Sequence, residues 1–211
     1  MLVMRPRPAA RMLPGERRAL ILETALKMLE TRPIDELGVG EVAAGVGVSP
    51  GLLFHYFGSK KGLHEAILRT GTSEALARMK PDPELTLSEQ VRYFTHALLD
   101  SVTQYPTAYP TIVRLASGGD REMRALHEQI RDTVSGWFVD ALTDAGIRTG
   151  PALPLALRGC QAFIEEAVLA WLDHPEVDRS VVVGLCERCC QQAVLFSVDD
   201  PDSVARLLDH L

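Results

Sequence analysis

The chain has 211 residues, of which 46% are apolar, enough for one large domain or a small domain joined to a medium one. No apolar run reaches the roughly 18 residues of a membrane span, so the expectation is a cytoplasmic protein without membrane contact. A net charge of −6 speaks against nucleic acid when taken whole, but residues 1–70 hold 10 Lys/Arg against 7 Asp/Glu, whereas residues 71–211 hold 12 against 21. The basic excess therefore lies in the first third, where phosphate binding is electrostatically feasible.

Residues 1–15 carry Arg5, Arg7 and Arg11, three prolines and no acid. Little there can be buried, which predicts a disordered basic arm, either a solvated tail or an arm reaching a DNA backbone. The arginines precede no apolar h-region, so a secretion signal is not expected. A first helix follows over about Gly15–Thr31, with Leu20, Ile21, Ala25, Met28 and Leu29 as its apolar stripe. Pro33 ends it.

The stretch from Val39 to Leu63 then reads as two very short helices around a tight turn and the start of a third. Val42, Ala43 and Val46 share one face. Gly47 stands where the helix must stop and supplies positive φ at low cost. Ser49 is placed to N-cap the next helix, with Pro50 in its first turn. Within that helix Leu53 and Phe57 point inward at i and i+4, which leaves Leu52, Phe54, His55 and Tyr56 on the other sides. Ser59 caps a helix running to about Met79, and Pro81 and Pro83 break the chain. Two short helices joined by a glycine turn form the helix-turn-helix unit, whose second helix enters a major groove.

The remainder reads as helix after helix. Leu85–Tyr105 places Val91, Phe94, Leu98 and Val102 on one stripe. Thr111–Ala116 is a short apolar helix ended by Gly118 and Gly119. Asp120 caps a long helix to about Ala145, with Ala125, Ile130, Val134, Trp137, Phe138 and Leu142 inside. Pro151–Leu172 and Val177–Phe196 are the last long helices, and the tail from Asp199 ends in an apolar patch of Val204, Leu207 and Leu208. No period-two alternation is sustained, so the class is all-α.

The ordered set Gly47, Ser49, Gly51, Tyr56, Phe57, Lys60 and Leu63 resembles the DNA-binding signature of the TetR family of bacterial transcription regulators, closely over Val42–Leu63 and loosely over residues 16–63. The resemblance implies an N-terminal three-helix DNA-binding domain over 16–70 and a helical effector-binding and dimerisation domain over 71–211. It implies that Ser49, Pro50, Gly51, Leu52, Phe54, His55, Tyr56 and Lys60 meet DNA: Leu52 on a thymine methyl, His55 on a base edge or phosphate, Tyr56 and Lys60 on the backbone. This chain departs from the family at Gly38, where a capping hydroxyl is usual, at Arg32-Pro33, where a glycine is usual, and at Phe54, where tyrosine is common. Lys61 stands where an acid is more frequent.

The resemblance also implies a homodimer through the last two long helices, a near-palindromic operator and an unknown small-molecule effector that releases the DNA. Candidate pocket walls are Phe94, His127, Trp137 and Phe163, each also readable as plain core. Cys186, Cys189 and Cys190 lie with Ala193 along one helical stripe, and Cys160 lies on the preceding helix. Packing at a helix seam is the favoured reading, and a thiol or metal signal at that stripe is the alternative. No catalytic motif, cofactor or metal set is expected, and Glu165-Glu166 alone suggests nothing catalytic.

Overall fold

A computed structural model describes residues 12–198 and 200–209. Ten α-helices make up the described residues: α1 Pro14–Leu29, α2 Val39–Val46, α3 Pro50–Phe57, α4 Lys60–Met79, α5 Leu87–Gln104, α6 Ala108–Ser117, α7 Arg121–Asp144, α8 Leu153–Leu172, α9 Arg179–Leu195 and α10 Pro201–Asp209. A single 3-10 turn, Ile34–Glu36, joins α1 to α2, and there is no strand among the described residues. The all-α expectation is met. Most of the predicted arm, residues 1–11, lies outside the described residues; its last two, Pro14 and Gly15, already belong to α1.

The helix boundaries follow local chemistry. The Thr86 hydroxyl accepts from the Glu89 amide, and the Glu89 carboxylate returns to the Thr86 amide at 2.9 Å, a full capping box that starts α5. Asp120 and Asp178 cap α7 and α9 through their carboxylates. Two expectations need correction. The short helix α6 begins at Ala108, ahead of Pro110, because a proline in the first turn removes only an N–H that has no intrahelical partner. Ala125 is exposed on α7, and Met123 and Leu126 take the inward positions. The tail is a regular helix, α10, whose Leu207 is 1% exposed.

Four apolar clusters fill the interior. The first gathers α1 to α4 around Ile21, Ala25, Leu37, Val42, Leu53 and Ile67, and extends into α6 and α7 through Ile112, Ala116, Met123 and Leu126. The second joins α5, α8 and α9 around Leu99, Val168 and Cys186. The third closes the far end with Leu142, Leu153 and Leu207, and the fourth holds Met79, Phe94 and Val134. Helix α4 runs unbroken through this arrangement: Leu63, Ile67 and Leu68 belong to the first cluster and Met79 to the fourth.

Candidate nucleic-acid interface and interior cavity

The turn between α2 and α3 forms as the sequence requires. Gly47 has φ 76° and ψ 37°, and the Val48 amide reaches back to the Ala43 carbonyl at 2.9 Å. Ser49 stands at the N-cap of α3, yet its hydroxyl caps nothing. Pro50 at the first helical position leaves no N–H there, and the Leu52 amide bonds the Ser49 carbonyl at 3.0 Å instead.

The opposite end of α3 is fixed by close approach. Ser59 Oγ accepts from the Gly62 amide at 3.0 Å, starting α4. A Cβ on Gly62 would lie 2.2 Å from the Phe57 carbonyl oxygen, so only glycine lets the first turn of α4 press against the end of α3. Leu53, 1% exposed, anchors α3 in the first cluster. The outer side of α3 carries Phe54, 48% exposed, and exposed His55. Leu52 and Tyr56 are half-buried, and Tyr56 packs against the first cluster with its ring edge-on to His55.

The hydroxyl half of a capping box is absent at Gly38, and the other half is kept. Glu41 accepts from the Gly38 amide at 3.0 Å, and Arg32 Nη1 donates to Glu41 Oε1 at 3.0 Å. Hydrogen bonding to Arg32 is the main reason that the Glu41 carboxyl lies below the ordinary range. The unusual Arg32 thus orients the acid that starts α2. Lys60 is exposed, and its Nζ donates to the Asp35 carbonyl at 3.1 Å. Lys61 pairs with Asp120 at 2.9 Å and with Glu65 at 3.4 Å, so it ties α4 to the start of α7. Arg114 on α6 reaches Asp35 at 3.0 Å, a second tie to the same turn.

A cavity of about 160 Å³ lies behind this surface. Its walls are almost entirely apolar and come from nearly every long helix. At one end stand Leu26 and Leu29 of α1 with Ile67 and Gly71 of α4, and at the other Val194 and Leu207. Of the four candidate walls, only Phe94 lines it. Trp137 packs edge-on against Phe94, Phe163 is 44% exposed, and His127 stands in a polar cluster.

That cluster was not legible residue by residue. Glu165 Oε2 accepts from His127 Nε2 at 2.6 Å, from the Tyr109 hydroxyl at 2.8 Å and from Arg131 Nη2 at 3.4 Å. Burial alone would raise the Glu165 carboxyl; the bonds from His127 and Tyr109 and the Arg131 charge outweigh it and hold the group below the ordinary carboxylate range. Gln161, one turn before Glu165, donates to the Arg131 carbonyl at 2.8 Å and to Ser135 Oγ at 3.1 Å. The available signal was spacing: His127 and Arg131 on one helix, and Gln161 and Glu165 on the next, each recur at i, i+4.

The cysteines meet across α8 and α9, Cys160 Sγ lying 3.4 Å from Cys190 Sγ. That contact, then burial, raises the Cys160 thiol, and burial pushes Cys186 and Cys189 up to about 12. Thiols held protonated are poor nucleophiles and poor metal ligands. Among the described residues, one grouping of three metal-type side chains occurs, Glu65, Asp120 and Glu122, and Lys61 already pairs with two of its members. No helix among the described residues is long and apolar enough to cross a membrane.

A sequence profile for bacterial regulatory proteins of the tetR family matches residues 21–67. The nucleoid occlusion factor SlmA of Idiomarina loihiensis is 28% identical over 160 residues, covering 73% of this chain and 76% of that one. The HTH-type transcriptional regulator EthR of Mycolicibacterium smegmatis is 30% identical over 97 residues, 43% of this chain and 45% of its own length. The crystal structure of a tetR-family transcriptional regulator from Streptomyces coelicolor shares the fold with a TM-score of 0.77 at 22% identity, covering 94% of this chain and 91% of that one. With the turn at Gly47 and the exposed face of α3, these matches lead to one assignment: residues 21–67 form a helix-turn-helix domain of the tetR-family type, within a chain that has the fold of a tetR-family transcriptional regulator.

Proposed function

We propose that the protein is a dimeric repressor released from a near-palindromic operator by a small molecule bound in the interior cavity. The observation that carries this reading is that one end of the cavity is walled by helices of the DNA-binding head itself, through Leu26, Leu29, Ile67 and Gly71. A ligand there touches the head directly, and a bias of about 1–3 kcal/mol between two head spacings suffices for release.

In this reading residues 16–70 form the head and 71–211 the effector and dimerisation body, with 1–15 as an arm. Pro50, Gly51 and Leu52 enter the major groove first, with Phe54 and His55 beside them. Ser49, whose hydroxyl caps nothing, joins Tyr56 and Lys60 on phosphates. Exchanging the Asp35 carbonyl for a phosphate gives Lys60 a stronger, charge-assisted bond. The dimer forms through α8 and α9, which expose Leu155, Phe163, Val181 and Leu185; large apolar side chains gathered on a surface favour a partner. Two-fold symmetry then sets the paired α3 helices about 34 Å apart. A thiol or metal signal at Cys186, Cys189 and Cys190 draws less support, because burial holds the Cys186 and Cys189 thiols protonated.

The test is a salt-titrated binding isotherm on duplex from upstream of the protein's own gene, against a scrambled duplex. Selective binding that weakens steeply with salt supports the reading. Lys60→Ala is expected to weaken both duplexes alike and lower the salt slope by about 1; unchanged affinity in a folded variant removes Lys60 from the interface.

A further inference from the structure

A polar corner interrupts the mostly apolar lining of the cavity where Tyr109, Arg131, Gln161 and Glu165 meet. Three buried side-chain polar atoms lack a hydrogen-bond partner among the described residues: Arg131 Nε, Gln161 Oε1 and Arg179 Nε. Arg131 and Gln161 both line the cavity. They are also held to each other, since the Gln161 amide donates to the Arg131 carbonyl at 2.8 Å and the Arg131 guanidinium reaches Glu165 one turn further along α8. An N–H that needs an acceptor and an oxygen that needs a donor therefore belong to two neighbouring side chains on a mostly apolar cavity wall. Buried polar groups left unpaired are costly, and native folds rarely keep them so without a role.

The charges in the corner are already matched. The Glu165 carboxylate faces the Arg131 guanidinium, with Tyr109 and His127 completing its hydrogen bonds. An anionic ligand would bring a second negative charge beside Glu165 and would offer Gln161 Oε1 only acceptors. A cationic one would compete with Arg131 and leave its Nε–H unmet.

We infer that the cavity takes a largely apolar, uncharged small molecule with a single head group that both accepts and donates, of the primary amide or hydroxyl type, its oxygen accepting from Arg131 Nε–H and its own N–H or O–H donating to Gln161 Oε1. This inference rests on the reading of the cavity as the effector site. The volume of about 160 Å³ is close to the roughly 150 Å³ that admits benzene in an apolar protein cavity, so the ligand's apolar part is a short chain or single ring.

Calorimetric titration of the full chain with probes matched in size tests it: hexanamide and hexanol, which accept and donate; methyl pentanoate, which only accepts; hexanoate, which is charged; and benzene, which has no head. Hexanamide and hexanol are expected to bind at least about tenfold more tightly than methyl pentanoate or hexanoate. Gln161→Met, which keeps the side chain's length and removes its oxygen, is expected to erase the preference for hexanamide over methyl pentanoate while leaving benzene binding in place. Should that variant not fold, the ranking in the unaltered chain decides alone. If hexanoate binds best, the corner is an anion site and the inference is wrong. If the ester equals the amide, ordered water serves these atoms and the inference is equally wrong. Benzene binding without any head-group preference overturns the inference and leaves the cavity reading standing; failure of every probe, benzene included, overturns both.

Discussion

The DNA-binding head and the helical body bury apolar residues in different ways. In the head, α1 to α4 close around Leu53, Val42, Leu37 and Ala43, each at most 1% exposed, and α4 is pressed onto α3 at Gly62. The body is built from longer helices that meet around a cavity and enclose a polar cluster at His127, Arg131 and Glu165. A groove-reading surface works only if its side chains are held in fixed register, and close packing does that. A cavity leaves its lining short of contacts, which is a cost in packing.

Equal truncations in the two regions give the largest contrast. Leu53→Ala removes a fully enclosed side chain and is expected to cost about 3–5 kcal/mol. Ile164→Ala, on the cavity wall, removes atoms that already lack neighbours on one side and is expected to fall near 2 kcal/mol, the low end for such changes. Urea unfolding of both variants measures the gap, and equal costs would mean that the body is as closely packed as the head. Next in size is Gly62→Ala. Its Cβ meets backbone rather than a flexible side chain, so α3 or α4 must shift, at about 2 kcal/mol of overpacking. DNA binding is expected to fall further than the stability loss accounts for; retained binding would mean that the contact is not what aims α3.

The smallest effect separates the two regions by pH. The folded-state Glu165 carboxyl lies below its ordinary value, so the unfolded chain binds the proton first as pH drops. The stabilisation from this group is complete above the ordinary carboxylate range and is lost as pH falls through the lowered folded value. Glu165→Gln is expected to flatten the acid limb of thermal stability, with the Leu53→Ala chain keeping the limb of the unaltered protein. An unchanged acid limb in Glu165→Gln would show that other carboxylates carry it.

The head was largely legible in the sequence because its determinants are local. Gly47, Pro50 and Ser59 act within a few residues of themselves, and α2, α3 and α4 begin and end where those residues place them. The body was legible as helices but not as a site. The bond from His127 to Glu165 crosses 38 positions and that from Tyr109 crosses 56, and pairings at such range depend on how helices cross, not on their own periodicity. Trp137 and Phe163 illustrate the limit: both are large and apolar on amphipathic helices, yet one packs on Phe94 and the other faces outward. Lys61 shows it at the surface, since its partner Asp120 belongs to α7.

The continuity of α4 has a consequence for anyone who would graft this head onto another body. The natural cut falls inside a helix, between Leu68 and Met79, where no loop absorbs error. Each inserted residue turns everything beyond it by about 100°, so a chimera that is one residue too long aims Met79 and its neighbours away from Phe94 and Val134, whereas one that is seven residues longer nearly restores the phase but lifts the head by about 10 Å. Swaps between regulators of this architecture are therefore a matter of helical phase before they are a matter of sequence.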